Sequence, residues 1–192
     1  MLDCAIYRSR LQTMQLLKIP YTNSSLLTLV SCLTLLGCAS NLHGPSASAE
    51  LLPTKGNVTA GSVLFKQVGS KVLVTAEVKG LKPNAEHGFH IHEKGDCSSG
   101  DGMSTGGHFN PTTQAHGEHG VGSHHAGDLP SLKADANGVA KLTFESSTVS
   151  IGSEASNIVG RGLIVHRDPD DYKTQPTGNA GPRLACAVIQ RI

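Results

Sequence analysis

Apolar and polar residues alternate in several short stretches of the chain from about residue 51 onward. In the stretch 71–79, KVLVTAEVK, the residues Val72, Val74, Ala76 and Val78 alternate with mostly polar neighbours. Successive side chains of a strand point to opposite faces, so this pattern predicts a half-buried β-strand. Stretches of similar texture predict further strands over 57–67, 87–93, 138–145, 161–166 and 183–191.

Turns and two long loops separate the predicted strands. The sequence Asp135-Ala136-Asn137 predicts a hairpin that pairs 128–134 with 138–145. The segment 94–127 is dense in Gly, Ser and His, and 167–182 is a second loop. Loops this long are uncommon in compact domains unless they are functional. The chain is therefore predicted to be all-β, a Greek-key antiparallel β-sandwich or barrel of about eight short strands with two long functional loops.

The N-terminal residues 1–50 differ in composition from the rest of the chain. Residues 26–37, LLTLVSCLTLLG, form an apolar run after basic residues, too short for the roughly 20 residues of a spanning helix. This indicates a signal peptide over 1–37, a flexible tether over 38–50 and one domain over 51–192. The sequence LLGC resembles a bacterial lipobox and predicts lipidation of Cys38, whereas an alternative cut follows Ala49. Met14 is an alternative start to Met1.

Charge and cysteine content narrow the class of protein. The formal net charge is +1, and without 1–37 the chain keeps 13 Lys+Arg against 14 Asp+Glu, so no bulk attraction for nucleic acid is expected. Of the five Cys, Cys4 and Cys32 leave with the signal peptide. With Cys38 lipidated, Cys97 and Cys186 remain, and export to an oxidising compartment favours a disulfide over two separate buried thiols.

Candidate metal ligands concentrate in one stretch. Eight of the ten histidines lie within 87–128. His90 and His92 are two apart in a predicted strand, so their imidazoles project from one face, opposite Phe89 and Ile91. Imidazole is the commonest protein ligand for borderline metals, and two rings on one face can converge on one ion. The stretch therefore predicts a metal site rather than solvated histidines.

Further motifs lie around these histidines: GHFNP at 107–111, HAGD at 125–128, LIVH at 163–166 and GNAGPRLAC at 178–186. In their order and spacing the chain resembles the copper/zinc superoxide dismutase family over roughly 53–190. The resemblance implies an enzyme that converts superoxide to O2 and H2O2 as copper cycles between Cu(II) and Cu(I). It also implies one copper and one zinc per subunit.

The resemblance assigns ligands by position. It implies copper ligands at His90, His92, His108 and His166. It implies zinc ligands at His108, His116, His125 and Asp128. His108 would belong to both sets and bridge the two ions as an imidazolate. His119 and His124 compete with the zinc histidines in this His-rich loop and are expected to face solvent. His87 is expected to pack or hydrogen-bond rather than bind metal.

Three more features follow from the same resemblance. Asp170 matches a carboxylate that links a copper histidine to a zinc histidine, although an ordinary acidic loop residue is an equal alternative. Arg183 matches the arginine beside copper that attracts and orients superoxide. Cys97 and Cys186 match the family's disulfide. The spacing from Cys97 to His108 and the short loop 167–182 differ from the animal enzymes, so Lys173 is not assigned a steering role.

These features predict a dismutase that protects against extracytoplasmic superoxide in the periplasm or cell envelope, held there by a lipid anchor on Cys38. The alternative from another class is a non-catalytic periplasmic copper/zinc-binding lipoprotein, which would not need all seven ligands and Arg183. The sequence leaves open whether the domain is a monomer or a homodimer.

Overall fold

A computed structural model describes residues 44–152 and 154–192 of the chain. Ten strands are assigned in this part of the chain: β1 Ser46–Pro53, β2 Ala60–Val68, β3 Lys71–Lys79, β4 Glu86–His87, β5 Phe89–His92, β6 Leu132–Lys133, β7 Ala140–Ser146, β8 Gly162–His166, β9 Arg183–Val188 and β10 Gln190–Arg191. One short 3-10 turn covers Met103–Thr105. The all-β prediction is confirmed.

Eight of these strands form one curled antiparallel sheet in the order β5-β8-β9-β1-β2-β3-β7, with β10 also paired to β1. β1 joins the two halves of this sheet, because Ala47 to Leu51 pair with β2 while Leu52 and Pro53 pair with β9. The order is not sequential, as expected for a sandwich or barrel with crossing connections.

The alternation predicted for β3 is present. Val72, Val74, Ala76 and Val78 are buried at 0–2 % exposure, and the residues between them face outward. The same core receives Phe65, Phe89 and Ile91, so aliphatic and a few aromatic side chains fill the space enclosed by the curled sheet.

Two predictions of local structure were wrong. The segment 46–50, predicted as part of the tether, forms most of β1, and its Ala47 and Ala49 are buried in the core. Small Ala and Ser side chains alternate there, and their burial depends on β2 rather than on strong local hydrophobicity. The signal peptide 1–37, Cys38 and the two candidate start residues lie outside the described residues.

The hairpin predicted around Asp135 was also wrong in its pairing. The tight turn exists, with the Asp135 and Gly138 backbones bonded across it. β6 nevertheless pairs with β4, and β7 pairs with β3. Nonlocal partners therefore set the register here, which a local turn signal cannot reveal. No helix among the described residues is long and apolar enough to cross a membrane.

Candidate metal centre

β5 supplies the first two histidines of the centre. Phe89 and Ile91 enter the core from one face of the strand, and His90 and His92 project from the other. Both imidazoles are completely buried. β5 pairs with β8 over its whole length, in the register His90 to Ile164 and His92 to Gly162, so a regular ladder fixes the two rings.

The long loop after β5 folds back and lies beside that strand. Phe109 N donates to Ile91 O at 2.8 Å, and Ile91 N donates to Gly127 O at 2.9 Å. These bonds bring His108 opposite His92 and Asp128 opposite His90. Gly127 is required at this contact, because a Cβ there would overlap the Ile91 carbonyl oxygen.

Four histidines converge in what we call the four-histidine group: His90, His92, His108 and His166. His166 is the last residue of β8 and comes from far along the chain. In each ring one nitrogen is buried without a hydrogen-bond partner: Nδ1 of His90 and Nε2 of His92, His108 and His166. Buried polar atoms are rarely left unpaired, so four unpaired nitrogens that converge on one point fit a metal-binding site.

The opposite nitrogens of these rings are bonded, which fixes how the rings face. His92 Nδ1 donates to Gly106 O at 2.8 Å and His166 Nδ1 donates to Gly181 O at 3.1 Å. A proton held at Nδ1 leaves the Nε2 lone pair free for a metal. Four imidazoles are a donor set that suits copper.

A second cluster, the His–Asp group, consists of His108, His116, His125 and Asp128. Asp128 Oδ1 lies 2.8 Å from Nδ1 of His108, 3.1 Å from Nδ1 of His116 and 3.3 Å from Nδ1 of His125. A tetrahedron with zinc bonds of about 2.0–2.1 Å has edges of roughly 3.3 Å. Three imidazoles and one carboxylate at these separations therefore fit a closed tetrahedral zinc site.

His108 belongs to both groups. Its Nδ1 faces Asp128 in the His–Asp group, while its Nε2 is one of the orphaned atoms of the four-histidine group. The ring is buried at 6 % exposure. One imidazole is thus placed to offer a nitrogen to each of two ions.

Asp170 lies between the two groups. Its Oδ2 accepts from His90 Nε2 at 2.7 Å and its Oδ1 accepts from His116 Nε2 at 2.9 Å. The carboxylate is buried, and the backbone N–H of Tyr172 also donates to Oδ1 at 2.8 Å. Asp170 therefore bonds one histidine of each group, which is the contact that the predicted linking role requires.

Burial lowers the pKa values of the histidines, and contacts with the carboxylates raise them. Burial lowers the pKa of His90, His92 and His166, and lowers that of His108 to about 4. For His116 burial also opposes the charge, but the hydrogen bonds to Asp128 and Asp170 outweigh it and raise the pKa to about 9. The first four rings are therefore neutral at pH 7, the form that binds metal.

The two carboxylates stay ionised. Burial alone would raise the pKa of Asp128, but its contacts with the His108, His116 and His125 rings outweigh burial and hold that pKa well below its usual range. Burial likewise opposes the charge on Asp170, and bonds to His116 and His90 again lower its pKa. Asp128 and Asp170 are therefore both negatively charged at neutral pH.

Arg183 begins β9 and pairs with His166 in the β8–β9 ladder. Its guanidinium donates to Thr105 Oγ1 at 2.7 Å, to Gly106 O at 2.8 Å and to the carbonyl of Gly102. Gly106 is the same residue that accepts from His92. The cation is thus held at the rim of the four-histidine group by a fork of bonds that suits a planar guanidinium.

The predicted disulfide is confirmed, since Cys97 and Cys186 are bonded across 89 residues of sequence. The bond ties the loop after β5 to β9 at Cys186, three residues after Arg183, the first residue of that strand. The loop that supplies the Gly102 and Gly106 carbonyls is therefore attached covalently to the strand that carries Arg183.

The remaining predicted histidines lie outside both groups. His87 is buried, and its Nδ1 donates to His166 O at 2.9 Å, consistent with the predicted packing role. His119 and His124 are half-buried rather than solvent-facing, with their rings 5.2 Å apart. Each donates Nδ1–H to a backbone carbonyl, of Asp128 and of His125 respectively.

One residue of this region was not predicted at all. Gln175 in the loop 167–182 accepts the His116 N–H on Oε1 and donates to His116 O from Nε2, both at 2.9 Å. A glutamine in a polar loop carries no local signal of such a contact, because the contact depends on how two distant loops meet.

The geometry agrees with comparisons to known proteins. A family model described as copper/zinc superoxide dismutase matches residues 59–189. The chain is 40 % identical over 160 residues to Cu-Zn superoxide dismutase 2 of Aquifex aeolicus, covering 81 % of this chain and 93 % of that protein. It is 42 % identical over 138 residues to the Saccharomyces cerevisiae Cu-Zn superoxide dismutase, covering 68 % of this chain and 88 % of that protein.

Solved structures show the same likeness. The clock protein EA4 has a TM-score of 0.69 at 39 % identity, covering 76 % of this chain and 94 % of that chain. A double mutant of a SOD-like protein from Bacillus subtilis has a TM-score of 0.67 at 36 % identity, covering 74 % of this chain and 96 % of that chain.

Proposed function

This chain belongs to the copper/zinc superoxide dismutase family, and we propose that it converts superoxide to O2 and H2O2 at the four-histidine group. The protein is an oxidoreductase, and its cofactors are copper and zinc. We assign copper to His90, His92, His108 and His166. We assign zinc to His108, His116, His125 and Asp128.

The observation that carries this proposal is the double placement of His108. Its Nδ1 is 2.8 Å from Asp128 Oδ1, and its Nε2 is an orphaned atom among the four histidines. A single imidazole with one nitrogen in each cluster is what a shared bridging ligand requires. The chemistry of the donors supports the assignment of copper and zinc to different groups, since zinc has no redox activity and binds well to three His and one carboxylate.

When bound, copper supplies the redox chemistry, cycling between Cu(II) and Cu(I) as one superoxide gives O2 and a second gives H2O2. The residues of the chain supply geometry, charge and a proton. His108 Nε2 would hold one proton between the two half-reactions and give it up in the second, and water would supply the other proton that H2O2 requires. The His–Asp group keeps that ring in place through Nδ1, and no side chain acts as a nucleophile.

Arg183 supplies the positive guide for the substrate. Its guanidinium stays charged at any working pH, and the loop carbonyls and Thr105 hold it at the rim of the four-histidine group. A fixed cation beside an open metal position attracts a small anion and orients it. A non-catalytic metal-binding protein would have no use for such a group.

Replacing His108 with Ala tests the assignment. We expect loss of dismutase activity by pulse radiolysis, together with loss of coupling between the two metals in the spectrum of the copper- and zinc-loaded protein. Unchanged activity and metal content in His108→Ala would disprove the bridge. A wild-type protein that is fully metallated yet inactive would favour the metal-binding lipoprotein instead.

We also propose that the enzyme works in the periplasm or cell envelope, where it removes extracytoplasmic superoxide while attached through lipid on Cys38. The Cys97–Cys186 disulfide supports an oxidising compartment. Cleavage after Ala49 would remove four residues of β1, including the buried Ala47 and Ala49, which supports the earlier cut at Cys38. Mass spectrometry of the mature N-terminus tests this, and a chain starting at Glu50 would refute it.

A further inference from the structure

Three residues belong to the His–Asp group and not to the four-histidine group: His116, His125 and Asp128. They share one feature. The backbone carbonyl of each accepts a hydrogen bond from a side chain that is not itself a ligand. His119 Nδ1 donates to Asp128 O at 2.9 Å, and His124 Nδ1 donates to His125 O at 2.8 Å. Gln175 Nε2 donates to His116 O at 2.9 Å.

The direction of each bond is determined by its partners. Gly120 N donates to His124 Nε2 at 3.2 Å, so Nε2 must be the accepting nitrogen and Nδ1 must carry the proton. His116 N donates to Gln175 Oε1, which fixes the amide orientation and leaves Nε2 as the donor. His119 faces a carbonyl oxygen, which can only accept, so its Nδ1 is also protonated.

Two of these side chains, His119 and Gln175, connect the zinc-binding loop to other parts of the fold. The His119 ring packs edge-on against Phe144 of β7, with centroids 5.2 Å apart, and against His124 at the same distance. Gln175 reaches across from the loop 167–182. The backbone carbonyls of Asp128 and His116 are therefore held by side chains that contact the sheet or belong to the second loop. The carbonyl of His125 is held by its neighbour His124, whose ring packs against His119.

We propose that His119, His124 and Gln175 are positioning residues for zinc, which hold the His–Asp group in its binding arrangement before the ion arrives. This inference rests on the zinc assignment made above. A ligand loop that is already ordered loses less conformational entropy when it closes on a metal, so affinity is higher. Outer contacts of this kind are typically worth 10–100-fold in metal affinity.

Paired replacements separate the hydrogen bond from ring packing at His119. His119→Asn keeps an N–H donor at the same distance from the backbone and loses the ring. His119→Phe keeps a ring against Phe144 and loses the donor. His124→Asn and His124→Leu form a similar pair, and Gln175→Leu removes both amide contacts. Val121→Ala is the control, because Val121 lies in the same loop and is 61 % exposed.

The measurement is Zn²⁺ affinity of the metal-stripped protein, by competition with a chelator of known affinity. We expect a loss of roughly 10-fold or more in His119→Phe and Gln175→Leu. We expect a smaller loss in His124→Leu, since His125 O also accepts from Asp128 N at 3.1 Å. Both Asn variants and Val121→Ala should stay within about threefold of wild type, and circular dichroism should show the same metal-free sheet throughout.

Two results would overturn the inference. One is wild-type zinc affinity in His119→Phe and Gln175→Leu, and the other is a loss in His119→Asn as large as that in His119→Phe. Either result leaves the zinc assignment intact as long as wild type binds zinc. Failure of wild type to bind Zn²⁺ would instead refute the proposed function and the inference together.

Discussion

Asp170 Oδ2 lies 2.7 Å from His90 Nε2, a fully buried contact between a loop carboxylate and a strand histidine of the four-histidine group. The other oxygen of the same carboxylate lies 2.9 Å from His116 in the His–Asp group. The two groups are thus linked twice, through the shared ring of His108 and through this carboxylate. Any change that moves Asp170 should therefore alter the binding of both metals.

Asp170→Asn should lower the affinity for zinc more than the affinity for copper. Asparagine offers only one accepting oxygen for two imidazole N–H donors, so one of the two contacts is lost. His90 is also fixed by the β5–β8 ladder, whereas His116 lies in a loop. We expect zinc affinity to fall about 10–100-fold. Asp171→Asn is the control, because that carboxylate bonds Thr174 instead. Equal zinc affinity in the two variants would contradict the linking role.

The fold was predictable where burial follows local alternation. In β3 every second residue is apolar and buried, and β5 places two histidines on the face opposite two core residues. Both alternations can be read directly from the sequence. β1 escaped prediction because Ala47 and Ala49 are weakly apolar and become core only through β2. The pairing of β6 with β4 was not predicted, because the two strands are more than 40 positions apart in the sequence.

The ligands of the metal centre were predictable from the sequence, whereas the residues that hold the ligand backbone in place were not. The ligand residue types and their spacing are visible in the sequence, because coordination chemistry restricts them. The contacts of His119, His124 and Gln175 join side chains to backbone carbonyls. A carbonyl is present at every position, so the sequence does not mark which one is contacted. Such contacts follow from the path of the loops.

Reduction of the disulfide should destabilise the metal-free protein. Cys97 and Cys186 close a loop of 89 residues, worth about 4–5 kcal/mol in the chain-entropy model. At about 2–4 °C per kcal/mol for a domain of this size, the thermal midpoint should fall by roughly 10–20 °C. The double variant Cys97→Ser/Cys186→Ser should match reduced wild type and should not respond to dithiothreitol. A shift below about 2 °C would show that the bond constrains little.

The metal-free protein should lose stability in acid. The pKa values of the four-histidine group are lowered on folding, so the unfolded chain binds more protons below its ordinary histidine pKa of 6.5. Stability is then present above pH 6.5 and is lost as pH falls towards the lowered pKa of His108, about 4. Thermal unfolding followed by circular dichroism between pH 7 and pH 4 measures this, and a midpoint that does not change would contradict it.

His116 has the opposite dependence. Its pKa is raised to about 9 on folding, so its contribution is complete below pH 6.5 and is lost as pH rises through 9. The midpoint of the metal-free protein should therefore also decline between pH 7 and pH 9. His116→Gln removes the titrating ring and should flatten this alkaline decline while leaving the acid decline in place. An alkaline decline that persists in His116→Gln would assign it to another group.

Removing the Arg183 charge should slow superoxide capture. In Arg183→Ala the second-order rate constant should fall at least about 10-fold, and its dependence on ionic strength should weaken. Arg183→Lys should fall in between, because a single ammonium keeps the charge and cannot bond Thr105 and Gly106 as a fork. Lys71→Ala, at an exposed pair with Glu145, controls for net charge. Pulse radiolysis at increasing salt distinguishes these outcomes, and wild-type behaviour of Arg183→Ala would rule out its guiding role.

Gly178 should be required for the carboxylate link. An Ala Cβ there would overlap Asp170 Oδ1 and lie 2.5 Å from His116 Nε2, so Gly178→Ala must displace the carboxylate, and zinc affinity should fall about 10–100-fold. Gly120→Ala is a matched control. Gly120 has a φ of +76° against +69° at Gly178, and a Cβ there meets nothing within 4 Å. Both variants carry the backbone cost of about 1–2 kcal/mol for an L-residue at positive φ, so any further loss in Gly178→Ala reports the overlap with Asp170 and His116. Only Gly178→Ala should lose zinc, and an equal affinity in both variants would mean that the loop can yield without moving Asp170.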